Sequence, residues 1–169
     1  HERYRGAELT AAGERAALEV VRHHRLLEQF LVETLGYGWD EVHDEAERLE
    51  HHISEAMEAR IAAALGHPTA DPHGDPIPDL EGRLPAEDAP RLLDLPPGSW
   101  GTVRRVDAQE AERLRYLDGL GIRPGARLAV EAVLPFDGPV RITVDGAENV
   151  LGRPLAAAIR VEPDAPAEG

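Results

Sequence analysis

Apolar residues recur every three or four positions along the first third of the chain, which is the spacing of an amphipathic helix. The pattern predicts a long helix at Ala11–Leu35, capped by Thr10 and ended by Gly36. A second helix is predicted at Asp40–His52 and a third at Glu55–Leu65. The front of the chain is therefore expected to form a helical domain.

The last third of the chain alternates apolar and polar residues, which is the period of a β-strand. Strands are predicted at Trp100–Val106, Arg127–Val133, Val140–Val144 and Ile159–Val161, with one short helix at Gln109–Leu117. Short strands separated by glycine-containing turns favour a small β-barrel. The expected fold class is therefore α+β.

Prolines interrupt both patterns between His67 and Pro97, where eight of them occur. This composition predicts a fairly stiff linker, and three leucines near its end are expected to pack on a flanking domain. His67 and His73 lie in turn-like sequence and are expected in exposed loops. Met57, on the third predicted helix, is expected to fill space in the core.

The composition excludes several classes of protein. The chain has 169 residues, with 18 Lys and Arg against 32 Asp and Glu, and a formal net charge of −14. Such a surface repels phosphate, so these residues are not expected to bind nucleic acid by themselves. The absence of cysteine excludes disulfides and thiolate metal sites. No apolar run is long enough to span a membrane and no signal peptide opens the chain, so a cytoplasmic protein is expected.

The second predicted helix carries the first candidate chemistry. At about 100° per residue, one face of this helix is apolar and a second face gathers two imidazoles and two carboxylates. The residues of that second face are His43, Glu47, Glu50 and His51. These nitrogen and oxygen donors suit a divalent metal, but a solvated polar face explains them equally well on this helix alone.

The first predicted helix changes that balance. His24 and Glu28 are spaced i and i+4 and fall inside its apolar stripe, where an uncompensated carboxylate is costly. A His–Glu hydrogen bond at a helix interface is one explanation, and a metal site shared with the second helix is the other. The presence of the second helix favours the metal. His23 points about 100° away from His24 and is expected at the surface.

Several spaced segments resemble the iron- and manganese-dependent repressors of the diphtheria-toxin-repressor type. They are Leu9–Gly13, Arg22–Glu28, Trp39–Ala46, Glu50-His51 and Asp71–Pro78. The C-terminal part is similar to the SH3-like domain found in that family and in ferrous-iron transport A proteins. The resemblance implies a helical metal-binding and dimerisation domain at 9–78, a Pro-rich linker at 79–97, an SH3-like domain at 98–163 and a tail at 164–169.

The N-terminal end of the chain carries only a small part of the DNA-binding domain that the family pattern includes. Residues 1–8 resemble the end of the wing of a winged helix-turn-helix. Because the first residue is His1 and not Met, we expect that most of this DNA-reading domain is missing from the sequence.

The resemblance also divides the candidate ligands between two metal sites. One site takes His24, Glu28 and His43, and the other takes Glu47, Glu50 and His51. The second site of the family takes a further ligand from the missing winged-helix domain. In some relatives the SH3-like domain lends a Glu and a Gln to the first site. Glu110 falls at that Glu position, where an exposed helix carboxylate is the alternative, and Arg113 stands in place of the Gln.

These implications define a metal-sensing repressor that binds a DNA operator as a homodimer, through the missing domain. It is not an enzyme, and neither a membrane nor a small organic substrate is expected as a partner. Iron-responsive members carry Cys at the position of Glu47, so the Glu here favours Mn²⁺, while Fe²⁺ and Zn²⁺ remain possible.

Two other functions fit the same ligands. The first is a di-metal hydrolase, although no H-E-x-x-H motif or nucleophile elbow is present. The second is a metal-binding or assembly module without DNA binding.

Overall fold

The computed structural model describes residues 9–86 and 89–164. Helix α1 spans Ala11–Leu35, as predicted. The side chain of Thr10 accepts a hydrogen bond from the backbone N–H of Gly13 at 3.2 Å, and Gly36 ends the helix in the left-handed conformation at φ 74°. The wing remnant predicted at 1–8 and most of the tail lie outside the described residues.

Helices α2 and α3 span Val42–Leu49 and Glu55–Ala64. Helix α2 is shorter than the predicted Asp40–His52, because hydrogen-bonded turns replace its first and last residues. The apolar stripe of α1 packs against both helices. The buried residues of this core are Leu26, Leu27, Leu31, Val42, Ala46, Ile61, Ala62 and Ile77.

Met57 is about half exposed, and its predicted place in the core is wrong. The buried position in the first turn of α3 belongs to Glu58, which is held by an ion pair with Arg22 at 2.6 Å and a hydrogen bond with His23 at 3.0 Å. The expectation that His23 lies at the surface is also wrong, because this bond draws the imidazole between α1 and α3.

The C-terminal domain is a five-stranded antiparallel sheet with one helix, α4, after its first strand and another, α5, before its last. Its elements are β1 Trp100–Val106, α4 Ala111–Gly119, β2 Arg127–Val133, β3 Val140–Val144, β4 Ala147–Leu151, α5 Arg153–Ala157 and β5 Ile159–Pro163. The strand order is β4-β3-β2-β1-β5. This arrangement confirms the predicted α+β class with an SH3-like second domain, but the sheet is open, since the described residues of β4 and β5 do not pair.

Two elements of this domain were not predicted. Strand β4 leaves Val150 exposed and has little alternation, and α5 is only five residues long, so neither has a clear period. The leucines before β1 pack into the sheet's core as expected, with Leu92 and Leu95 buried.

The segment between the domains is not the extended linker predicted for His67–Pro97. Its first part folds back on α1, where the guanidinium groups of Arg25 and Arg22 donate to the carbonyls of Pro76 and Pro78. Ile77 is buried in the helical core. The segment is also paired with itself, since the backbone N–H of Ile77 donates to the carbonyl of Thr69 and that of Asp71 to the carbonyl of Asp75. Arginines on α1 satisfy the proline carbonyls that this pairing leaves over.

The turn at 71–75 also contacts the second domain. The backbone N–H of Val106 donates to the carbonyl of His73 at 2.9 Å. Gly74 has φ 88°, and a Cβ at this position would lie 2.0 Å from the carbonyl oxygen of Arg104. The turn is therefore held between α1 and β1, which places its side chains beside those of α1. No helix in the described part of the chain is long and apolar enough to cross a membrane.

Candidate metal centre

Three side chains from α1 and α2 converge on one point. The Nε2 atom of His24 lies 3.0 Å from Oε1 of Glu28 and 3.0 Å from Nδ1 of His43, and that Nδ1 lies 3.1 Å from the same Glu28 oxygen. Ligands at right angles around a metal, with bonds of about 2.1 Å, lie about 3.0 Å apart. The three atoms therefore match one face of an octahedral site, and we call His24, Glu28 and His43 the metal centre.

The carboxylate of the metal centre is buried, so its negative charge needs a compensating partner. Glu28 is only 2% exposed, as its place in the apolar stripe predicted. Burial by itself raises the pKa of Glu28, but hydrogen bonds from His24 and His73 outweigh it and hold that pKa well below its usual range. Glu28 is therefore an ionised carboxylate in the interior, where an imidazolium proton or a metal ion can compensate its charge.

Glu50 orients the first imidazole of the centre. Its Oε2 lies 2.7 Å from Nδ1 of His24, the ring nitrogen that faces away from Glu28. Burial lowers the pKa of His24, but hydrogen bonds and charge interactions with Glu28 and Glu50 raise it overall. A carboxylate behind a ligating histidine fixes the ring and its tautomer, which is a common arrangement around bound metals.

His73 and Asp71 join the centre from the inter-domain turn, although His73 was predicted in an exposed loop. Oδ1 of Asp71 accepts hydrogen bonds from the backbone N–H groups of His73 and Asp75, and this turn directs the His73 side chain inward until it is 3% exposed. Nδ1 of His73 lies 3.5 Å from Oε2 of Glu28, and its Nε2 donates to the carbonyl of Trp39 at 2.7 Å. Donor atoms of Glu28, Asp71 and His73 lie within 4.8 Å of one another, so Glu28 is common to two donor sets.

The electrostatics of this second donor set follow from its burial. Burial raises the pKa of Asp71 to about 7, helped by the charges of Glu28 and Asp75. Burial lowers the pKa of His73, but its hydrogen bond and charge interaction with Glu28 raise it to about 9. The set therefore holds exchangeable protons near neutral pH, which a cation can replace.

A cleft of about 290 Å³ gives access to both donor sets. Its lining includes Glu47 from α2 and Gln109 from the stretch between β1 and α4. Sequence reasoning missed Gln109, whose amide comes from the second domain. Glu110, the predicted contributor, does not line this cleft, and its exposed carboxylate lies 3.3 Å from the guanidinium of Arg113.

The residues predicted for the second metal site, Glu47, Glu50 and His51, do not bring their donor atoms to one point. Oε1 of Glu50 is 3.2 Å from Nε2 of His51, whose side chain is mostly exposed. Glu47 faces the cleft beside the metal centre. Among the described residues, the donor atoms of this trio do not converge as those of the metal centre do.

Comparison with known proteins matches both domains. Residues 10–79 match the family described as "Iron dependent repressor, metal binding and dimerisation domain", and residues 91–163 match the FeoA domain. The iron-dependent repressor IdeR of Mycobacterium bovis is 40% identical over 171 residues, which cover 94% of this chain and 74% of that protein. The diphtheria toxin repressor of Corynebacterium efficiens is 36% identical, covering 94% and 72%.

Solved structures agree with these relatives. A manganese-dependent transcriptional repressor in complex with manganese superposes with a TM-score of 0.87 at 49% identity, covering 92% of this chain and 74% of that one. IdeR of T. acidophilum superposes with a TM-score of 0.82 at 33% identity, covering 93% and 72%.

A helical domain with buried imidazole and carboxylate donors, followed by an SH3-like sheet, defines the class of metal-dependent transcriptional repressors. The chain belongs to the family that includes IdeR and the diphtheria toxin repressor. Members of this family are regulators and not enzymes, and a divalent metal is their cofactor.

Proposed function

We propose that this chain forms a homodimer that senses Mn²⁺ at the metal centre. Occupancy of the metal centre then controls whether the homodimer binds its DNA operator. The observation that carries the proposal is the triangle of donor atoms from His24, Glu28 and His43, with sides of 3.0 to 3.1 Å. The proposed domains are the helical metal-binding and dimerisation domain at 9–78, the linker at 79–97 and the SH3-like domain at 98–163. Regulation of transcription also supports a cytoplasmic location.

The choice of Mn²⁺ rests on the donors. Imidazole nitrogens and carboxylate oxygens in an octahedral arrangement suit Mn²⁺, and the chain has no cysteine to supply a soft ligand. Relatives are named for both metals, as iron-dependent and manganese-dependent repressors, so Fe²⁺ is the alternative. We propose Glu47, Glu50 and His51 as contributors to a second site, with Glu50 linking the two because its oxygens contact His24 and His51.

The proposed regulatory mechanism follows from the helices on which the metal ligands lie. When bound, the ion supplies positive charge that compensates the buried Glu28. His24 lies on α1 and His43 on α2, so bringing their nitrogens to one point fixes the packing of the two helices. A ligand shifts a conformational equilibrium only by its differential affinity for the two arrangements, and about 1–3 kcal/mol is a typical coupling. DNA contact is proposed for a winged-helix domain, which the described residues do not include.

The metal centre can be tested by titrating Mn²⁺ into the metal-free chain and into His24→Ala and Glu28→Gln variants, using calorimetry. Loss of an inner ligand should weaken binding by at least about 100-fold, since loss of an outer partner alone commonly costs 10 to 100-fold. His52→Ala is the matched control, because His52 is an exposed histidine in the turn that follows α2. Undiminished Mn²⁺ affinity in both variants, with unchanged circular dichroism, contradicts the assignment.

A further inference from the structure

A third cluster of donors lies on another face of α1. Glu19 and His23 are one helical turn apart, so their side chains are neighbours, and Glu55 faces them from the first turn of α3. Nε2 of His23 lies 3.7 Å from Oε1 of Glu55, and donor atoms of the three residues lie within 4.8 Å of one another. His23 is adjacent to His24 in sequence but points about 100° away around the helix, so this cluster is separate from the metal centre.

The imidazole of His23 is buried and its exposed neighbours are acidic. Oε2 of Glu58 lies 3.0 Å from Nε2 of His23, while the other Glu58 oxygen pairs with Arg22. The guanidinium of Arg22 also donates to the carbonyl of Pro78 at 2.6 Å. Nε2 of His23 therefore lies among carboxylates, and the guanidinium of Arg22 is shared between Glu58 and the carbonyl of Pro78.

The same carboxylates open onto solvent. Glu19, Glu55 and Glu58 line a cleft of about 300 Å³. Asp79 and Glu81 also line it, and each pairs with the guanidinium of Arg83 at 2.8 Å. The cations on the cleft wall are Arg15 and Arg22. With Asp79 and Glu81 compensated by Arg83, the three carboxylates around His23 still outnumber the two arginines of the wall, so the cleft favours a cation over an anion. Its volume admits an ion with water ligands.

We propose that Glu19, His23 and Glu55 form a separate divalent-metal site, with Glu58 beside them as a fourth carboxylate, and we call it the α1–α3 site. One imidazole and several carboxylate oxygens without sulfur suit a first-row divalent ion such as Zn²⁺ or Mn²⁺. An ion held here ties α1 to the first turn of α3. The site does not depend on the function proposed for the metal centre.

The test uses Zn²⁺, because a nitrogen and oxygen site generally binds Zn²⁺ more tightly than Mn²⁺. Calorimetric titration of the full chain is compared with Glu19→Gln/Glu55→Gln. Both residues are exposed, with the Glu55 side chain 74% exposed, so the double variant should fold. Glu14→Gln/Glu112→Gln is the control, since it removes two exposed helical carboxylates and changes the net charge equally.

We expect the number of Zn²⁺ ions bound per chain to fall by one in Glu19→Gln/Glu55→Gln. In the control variant this number should stay the same as in the unmodified chain. Crystals soaked in Zn²⁺ should show an anomalous difference peak beside Nε2 of His23. His24→Ala/Glu28→Gln should keep that peak, so failure at the metal centre is distinguishable from failure here. An equal stoichiometry in all variants and no peak at His23 overturn the proposal.

Discussion

Glu28 is the residue that joins the two donor sets. One of its oxygens contacts His24 and His43, and the other faces His73. A buried carboxylate is costly to desolvate unless partners compensate its charge, and three imidazoles from three segments provide that compensation here. A single carboxylate therefore contacts all three imidazoles.

Replacing Glu28 with Gln keeps the shape of the side chain and removes its charge. Without metal, the pKa of His73 should fall from about 9, because burial then acts without the carboxylate that contributes most to stabilising the imidazolium, while Asp71 and the carbonyl of Trp39 still favour it. NMR titration of the His73 ring measures this change. Glu50→Gln is the control, since Glu50 contacts His24 and its loss should leave the His73 titration near its original pH. An unshifted His73 in Glu28→Gln contradicts this account.

The turn at 71–75 is the element that completes the site. It has no helical or strand period, and its geometry depends on Asp71 accepting two backbone N–H groups and on contact with β1. Its backbone lies directly against the carbonyl of Arg104, so the turn that carries His73 is packed on β1.

Gly74→Ala should disrupt this turn. The new Cβ would overlap the carbonyl of Arg104, and φ 88° is unfavourable for alanine, so we expect a loss of at least about 2 kcal/mol in urea unfolding. Gly98 also has φ 88°, but a Cβ added there would meet no atom within 4 Å, so Gly98→Ala isolates the backbone strain, about 1 kcal/mol. Equal losses for the two variants would show that the close contact is unimportant.

At the scale of the whole molecule, Trp39 connects the two domains. It precedes α2 in sequence, but its buried side chain belongs to the apolar core of the SH3-like domain. Its ring stacks on His73 with centroids 5.7 Å apart, and the guanidinium of Arg123 lies 5.6 Å from its centroid. Asp40, the next residue, pairs with Arg115 of α4 at 3.1 Å. The site and the second domain therefore share a packed interface.

Trp39→Ala should weaken both the fold and the site. Removal of a buried Trp costs about 3–5 kcal/mol, and His73 loses the ring on which it stacks. Thermal unfolding should shift to lower temperature, and Mn²⁺ affinity should fall in calorimetry. Trp100→Ala is the control, because Trp100 is 48% exposed whereas Trp39 is 5% exposed. A Trp39 variant no less stable than the Trp100 variant contradicts the role of this interface.

The sequence alone determined the features that depend on local periodicity. The 3.6-residue period placed His24 and Glu28 inside the apolar stripe of α1 and His43 on a polar face of α2, and cap residues located the ends of α1. Sequence pattern located four of the five strands. Strands β1, β3 and β5 alternate buried and more exposed residues, whereas β2 has three consecutive buried residues, Leu128–Val130.

Tertiary structure alone decided the positions of side chains that local periodicity does not fix. His73 is 45 residues from Glu28 in sequence, and its burial depends on a turn held between α1 and β1. His23 is drawn inward by Glu58, 35 residues away, and Gln109 reaches the cleft because the second domain packs against the first. Such placements follow from contacts between distant segments, whose energies are set by packing and charge compensation in the folded chain.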